Sequence, residues 1–322
     1  MKLTQINETI YTLTDSDKTG HTEIILFHLF PGIYLQINNV NMKNITCAPT
    51  QSNYTDFLRI NYCFEGRCEV KLKDCRYVYV DNSVLCIEDY PPQNAFYYPL
   101  GFYRGIEISI DKKIISKESY EALDIFGVAP SKLVDTFGNT ENFFLQIASD
   151  VFHQKATEII SIWENKTLSQ EAKIYQLRLI LCQIFFYLLN GQATNRERTY
   201  NASILSHGQS LIALDCEKKI TKDLSQKRTI SSLAEDYKIS PSSLKKFFAQ
   251  VYGCSISEYL QNARMKEASQ LLINENLSIM QIAALVGYEN QSKFSAVFKK
   301  HTGYAPLEYK RIYNLQRKEE KL

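Results

Sequence analysis

The stretch "SIMQIAALVGYENQSKFSAVFKKHTGYAPLEYK", residues 278–310, decides the fold of the C-terminal third of this chain. Ile279, Ile282, Ala283 and Val286 recur at i, i+3, i+4 and i+7, the apolar face of a short helix. Gly287 follows, where a left-handed residue closes a helix. Phe294, Val297 and Phe298 then mark the inner face of a second helix.

The same pattern occurs earlier. In "TISSLAEDYKISPSSLKKFFAQVYGCSISEYL", residues 229–260, Ile230, Leu233, Ala234 and Tyr237 precede the first set by 49 positions. Leu244, Phe247, Phe248 and Val251 precede Phe294, Val297, Phe298 and His301 by 50, as Gly253 precedes Gly303 and Tyr259 precedes Tyr309. So many phased matches indicate an internal repeat. Each copy reads as helix, short turn, helix. Ser240-Pro241 is an N-cap followed by proline at the first helical position, and Ala234 and Ala283 are small enough to let paired helices approach closely. This is helix-turn-helix spacing.

Phased at 100° per residue, the outer side of the second helix carries Ser292, Ser295, Ala296 and Lys299, with Gln291 and Lys293 flanking its start. The matching face of the first copy carries Ser242, Lys245, Lys246 and Ala249, and neither face has an acidic residue. Gln, Ser and Lys can bond base edges or phosphates, and alanine can meet a thymine methyl, so these helices suit a major groove. A generic solvated face is the alternative, weakened by the second phased copy. Between the copies, Tyr259, Leu260, Ala263, Ala268, Leu271 and Leu272 punctuate a stretch without Gly or Pro. A helix of about 20 residues spans about 30 Å, near the roughly 34 Å of one duplex turn. It reads as a spacer between successive grooves or simply as a long packing helix.

These residues, with "RMKEASQLL" at 264–272, resemble the AraC/XylS family of bacterial transcription regulators. The resemblance is carried by Ile282, Ala283, Gly287, Tyr288, Phe294, Phe298, Lys299, Gly303, Pro306, Tyr309 and Lys310, and covers about the last 100 residues. It implies two helix-turn-helix units on a rigid connecting helix, binding double-stranded promoter DNA and activating through RNA polymerase. Carried over position by position, it implies base contacts by Ser242, Lys245 and Lys246 and by Gln291, Ser292, Lys293 and Ala296. Ala296 and Ser242 depart from the family in being short.

Charge is distributed accordingly. The 322 residues carry a formal +2, yet from Gly208 onward 18 Lys and Arg stand against 12 Asp and Glu, leaving 19 against 23 before it. A basic end on an acidic remainder suits a polyanionic partner. The composition, 45% hydrophobic and 22% charged, is that of an ordinary globular protein. The start "MKLTQINETIYTL" shows no signal peptide. The apolar run Ile174–Leu189 contains Gln176, Arg178 and Gln183 and is too short to span a membrane. No membrane association is expected, and the cytoplasm is the expected location. Eight cysteines in such a chain read as reduced, buried thiols, or else as a metal or redox site. Cys63 and Cys68 flank "FEGR", which reads as a hairpin turn.

Residues from about His21 to Asp111 read as β structure. Leu58, Ile60, Tyr62 and Phe64 alternate, and further short runs such as "RYVYV" and "SVLCIED" are split at Asp81-Asn82 and Pro91-Pro92. Many short strands suggest a sandwich or barrel, and the family resemblance implies a cupin-like sensor. No histidine lies between His28 and His153, so the strands cannot supply the ligand set of a metal-dependent cupin. We therefore expect no catalytic residues, metal or cofactor. A small-molecule-converting enzyme that uses the β domain, with the helical domain as accessory, is the alternative. Phe96, Tyr98, Phe102, Tyr103 and Arg104 are candidate lining for a small-molecule effector pocket, with ordinary sheet packing as the other reading.

In the helical region, Ile174, Leu177, Leu181, Ile184 and Leu188 form a near-heptad stripe, either core or the seam of a homodimer; the resemblance favours the seam. The expected fold is thus α+β and multidomain. A cupin-like sensor occupies 1–130, a helical dimerisation region 131–190, a linker 191–207, the double helix-turn-helix domain 208–313 and a frayed tail 314–322.

Overall fold

The structure, a computed structural model, describes residues 1–17, 20–46, 57–72, 75–89, 95–115, 121–124, 126–138, 144–195, 200, 204–274 and 277–319. The break expected at Pro91-Pro92, residues 196–199 and 201–203 of the 191–207 linker and the last three residues of the tail lie outside the described residues. The chain divides into two compact units, Met1–Ile204 and Leu205–Leu322.

The first unit contains β1 (Lys2–Gln5), β2 (Ile10–Asp17), β3 (Gly20–Phe30), β4 (Ile33–Val40), β5 (Asn44–Thr46) and β6 (Phe57–Gly66). Then come β7 (Cys68–Lys71), β8 (Tyr77–Val80), β9 (Val84–Asp89), β10 (Ala95–Tyr97) and β11 (Tyr103–Asp111). It continues with α1 (Lys112–Ile115), α2 (Glu121–Asp124), α3 (Pro130–Phe137), β12 (Phe144–Ile147), α4 (Asp150–Glu164) and α5 (Gln170–Leu189). Eight strands form one antiparallel sheet in the order β1-β2-β3-β4-β11-β6-β9-β12, and β10–β5 and β7–β8 form two small sheets.

Period-2 alternation gives the large sheet two unlike faces. Ile33, Leu35, Leu58, Ile60, Ile106, Ile108 and Ile110 point one way, into a core completed by Phe152, Ala156 and Ile159 of α4 and by the buried side of α5. The residues between them, including Gln36, Arg59, Glu107 and Ser109, face the opposite way and line a cavity. The large antiparallel sheet and the helical C-terminal unit agree with the mixed α+β fold expected from the sequence.

Four local expectations change. First, the β structure starts at Lys2 rather than near His21, because "IYTLTDSD" pairs along its whole length with β3 even though it is half polar. Second, β12 adds a strand on β9 inside the region expected to be helical; four residues are too few to show a period. Third, no hairpin forms at Glu65-Gly66. β6 pairs with β9 and β11, whereas β7 pairs with β8. Gly66, at φ +88°, turns the chain out of the large sheet, and nearly buried Arg67 anchors the departing segment on Asp81 at 2.5 Å.

Fourth, the stripe Ile174, Leu177, Leu181, Ile184 and Leu188 is buried against the sheet, so it is core rather than a seam. By length and composition alone α5, at 20 residues, could cross a membrane, contrary to the reading that the run is too short. Its buried stripe and the bond from Arg178 Nε to the Leu29 carbonyl at 2.7 Å instead make it a core helix.

The second unit is helical among its described residues: α6 (His207–Thr221), α7 (Ile230–Asp236), α8 (Pro241–Tyr252), α9 (Ile256–Asn274), α10 (Ile279–Leu285), α11 (Gln291–Thr302) and α12 (Pro306–Glu319). α12 keeps the backbone helical to Glu319, through most of the stretch expected to fray.

Candidate nucleic-acid interface and ligand cavity

Each short helix of the second unit starts on a side-chain cap. Thr229 accepts from Ser232 N–H at α7, and Ser240 from Ser243 N–H at α8, with Pro241 at the first position. Ser278 and Gln281 form a reciprocal capping box at α10, and Asn290 accepts from Lys293 N–H at α11. Such caps contribute about 1 kcal/mol each, which matters for helices as short as seven residues. They also fix where α8 and α11 begin, and hence which side chains their first turns present.

The two helix pairs are packed alike. Leu244 and Phe248 of α8 and Phe294 and Phe298 of α11 are buried. Phe248 meets Tyr259 edge-on at 5.5 Å and 82°, and Phe298 meets Tyr309 at 5.4 Å and 87°, both partners displaced by 50 residues. The turn between helices also corresponds: Gly287 has φ +81°, and Lys238, 49 positions earlier, has φ +55°. Val251 and His301 are an exception, since Val251 is buried and His301 exposed.

All eight residues expected at the interface are exposed: Ser242, Lys245 and Lys246 on α8, and Gln291, Ser292, Lys293, Ala296 and Lys299 on α11. Neither helix carries a carboxylate of its own, since "PSSLKKFFAQVY" and "QSKFSAVFKKHT" contain none; Glu289, just before α11, lies within electrostatic range of Lys293 and pairs with Lys227. Ser242 Oγ lies 2.8 Å from the cap hydroxyl of Ser240, so one of its bonds is already used.

Arg264 of α9 has a role in this unit that its sequence context does not show. Its Nε donates to the Leu224 carbonyl at 3.0 Å, its Nη2 to the Gln226 carbonyl at 3.3 Å, and its guanidinium lies 5.8 Å from the Tyr288 ring centroid. Lys227 pairs with Glu289 at 2.6 Å across the same junction. The central helix thus fastens the segment entering α7 to the turn between α10 and α11. Sequence gave the position of Arg264 but no sign of its distant carbonyl partners.

In the first unit a cavity of about 400 Å³ opens on the polar face of the sheet. Of the five candidate effector residues, Phe96, Tyr98 and Tyr103 line it. Phe102 and Arg104 are exposed and are not among its lining residues. Alternation explains the split, because Arg104 points opposite to its neighbour Tyr103 on β11. The cavity also holds groups that the sequence reading did not single out: Arg59, Asn61, Glu88, Glu107 and Ser109. As alternate polar residues on strands, these read as a solvated sheet face. Cys63, Cys68 and Cys86 are buried free thiols, and burial pushes the Cys63 thiol up to about 12.

Comparison with known proteins adds to this geometry. A family model described as "Helix-turn-helix domain" matches residues 233–312. The chain is 26% identical over 214 residues to the HTH-type transcriptional activator CfaD of Escherichia coli, covering 64% of this chain and 78% of that protein. It is 37% identical over 91 residues to the lactose operon transcription activator of Staphylococcus xylosus, covering 28% of this chain but only 33% of that protein. A solved structure, the C-terminal domain of AraT, a response regulator from Geobacillus stearothermophilus, is 37% identical and covers 31% of this chain and 84% of that chain, with a TM-score of 0.31.

Proposed function

Taking the chain as a DNA-binding transcription regulator of the AraC type, which its C-terminal unit makes it, we propose that α8 and α11 are the recognition helices of two helix-turn-helix units. They read successive major grooves of double-stranded promoter DNA. α9, at 19 residues, is about 28 Å long, a little short of a duplex turn of roughly 34 Å, so the bound DNA bends slightly toward the protein. Lys245, Lys246, Lys293 and Lys299 serve phosphates and bases, while Ser242, Gln291, Ser292 and Ala296 meet base edges. The observation that carries this reading is that both helices expose equivalent polar and cationic faces free of acids.

The remaining assignments follow from that role. The first unit is a cupin-like sensor whose cavity holds a small-molecule effector, since cavities of this size on β scaffolds are common ligand sites. A homodimer forms through the outer side of α5, where Tyr175, Leu179 and Phe186 are exposed along one stripe. The regulator works in the cytoplasm as an activator that contacts RNA polymerase, and it has no catalytic role, metal or cofactor. Domain limits near 1–130, 131–190, 191–207 and 208–313 fit this division of labour.

Gel-shift titration of the protein's own promoter region against random DNA of equal length tests the reading. A preference of at least tenfold for the promoter is expected. Equal affinity for both would overturn it.

A further inference from the structure

The cavity wall carries an unusual pair. Arg59 on β6 and Glu88 on β9 are direct cross-strand neighbours, only 5% and 9% exposed. Arg59 Nη2 lies 2.9 Å from Glu88 Oε1, an ion-pair distance. Yet neither Arg59 Nε nor Nη2 has an aligned protein acceptor, and Glu88 Oε2 has no protein donor. Leaving a buried donor or acceptor unmatched is costly, more so for charged groups. Other polar groups of the wall are matched: Ser109 Oγ donates to Glu107 at 3.1 Å, and the Tyr103 hydroxyl donates to Asn61 at 2.6 Å. Unfilled bonding capacity therefore gathers at Arg59 and Glu88, a donor and an acceptor side by side.

Charge then narrows the ligand. An anion reaching Arg59 would face Glu88 and Glu107. A cation reaching Glu88 would meet the Arg59 guanidinium, 2.9 Å from Oε1, and would leave the unmatched Arg59 N–H donors unfilled. An uncharged group with an acceptor and an N–H on adjacent atoms meets both needs and adds no charge to a buried site. Most of the remaining wall is apolar or aromatic, with Ile45, Phe57, Val70, Phe96 and Tyr98, beside the polar Gln36 and Asn38 and Glu69, which accepts from the Tyr79 hydroxyl. Burial also raises the Glu88 carboxyl above its ordinary value, a sign that its charge is poorly solvated there.

We propose that the effector is a neutral small molecule with a carboxamide-like edge, its carbonyl accepting from Arg59 and its N–H donating to Glu88, on an aromatic or aliphatic body. This rests on the reading of the cavity as the effector site and specifies the chemistry of its occupant.

Three near-isosteres that differ in charge provide the test: 3-phenylpropionamide, 3-phenylpropionate and 3-phenylpropylamine, titrated calorimetrically into the full-length protein. The amide is expected to bind at least tenfold more tightly than either ion. Arg59→Leu should erase that preference. Val70→Trp, which fills the cavity from its apolar side and leaves the polar pair intact, should abolish amide binding. If Arg59→Leu does not fold, the wild-type comparison and Val70→Trp still decide. Equal or tighter binding of either ion overturns the ligand class while leaving the cavity an effector site. Binding of none of the three overturns both, as does amide binding that Val70→Trp leaves unchanged.

Discussion

Replacing Gly287 with alanine adds a single methyl group at the turn between α10 and α11. A Cβ there would lie 2.5 Å from the Leu224 carbonyl oxygen and 2.5 Å from Arg264 Nη2. The backbone at φ +81° is itself unfavourable for an L residue, by about 1–2 kcal/mol. Arg264 can move aside only by loosening its bonds to the Leu224 and Gln226 carbonyls, about 1 kcal/mol each. The expected loss is therefore about 3 kcal/mol, or on the order of 10 °C in Tm for a unit of this size. Far-UV circular dichroism would follow the helices of the second unit. Fluorescence of Trp163, the only tryptophan and part of α4, gives an internal reference from the first unit. Lys238→Gly at the equivalent turn should be neutral or stabilising by up to about 1 kcal/mol, because it relieves a left-handed lysine. A Gly287→Ala protein within about 0.5 kcal/mol of wild type, or a Lys238→Gly protein less stable than Gly287→Ala, would refute the reasoning.

Two other outcomes follow from the structure. Leu179→Glu, at a position 66% exposed, should leave the melting temperature of a monomer nearly unchanged but prevent a homodimer; sedimentation equilibrium showing an intact dimer would exclude the outer side of α5 as the seam. Cys63 should resist iodoacetamide at pH 8 while exposed Cys75 reacts, since raising a thiol from 9.0 to about 12 leaves roughly a thousandfold less thiolate; equal labelling rates in peptide mapping would contradict its burial.

The sequence and the structure agree best where a pattern is local and repeated. Ile282, Ala283, Phe294 and Phe298 announce buried helical faces by spacing alone, and the structure buries all four. Ser240 and Gly287 likewise sit where local backbone chemistry puts them. Legibility falls where partners are distant in sequence. Nothing near Arg264 reveals that it reaches carbonyls about 40 residues away, and nothing near Gly66 shows that its strand pairs with β9 and β11 instead of β7. The α5 stripe has a period that core and seam share, so only packing separates them. The polar wall of the cavity was hidden for a related reason, although Phe96, Tyr98 and Tyr103 were legible as lining: Arg59, Glu107 and Ser109 alternate as a solvated sheet face does, and only the elements covering them turn that face inward.

The central claim, that α8 and α11 present their lysines to DNA, is tested most directly by the salt dependence of promoter binding. Fluorescence anisotropy with labelled promoter DNA, from about 50 to 200 mM salt, should give a steep linear fall of log K with log salt. Lys246→Ala and Lys299→Ala should each lower the slope by about 0.9, and the double substitution by about 1.8, as one phosphate contact is lost per lysine. Wild-type slopes in both single variants, with unchanged affinity, would contradict the account.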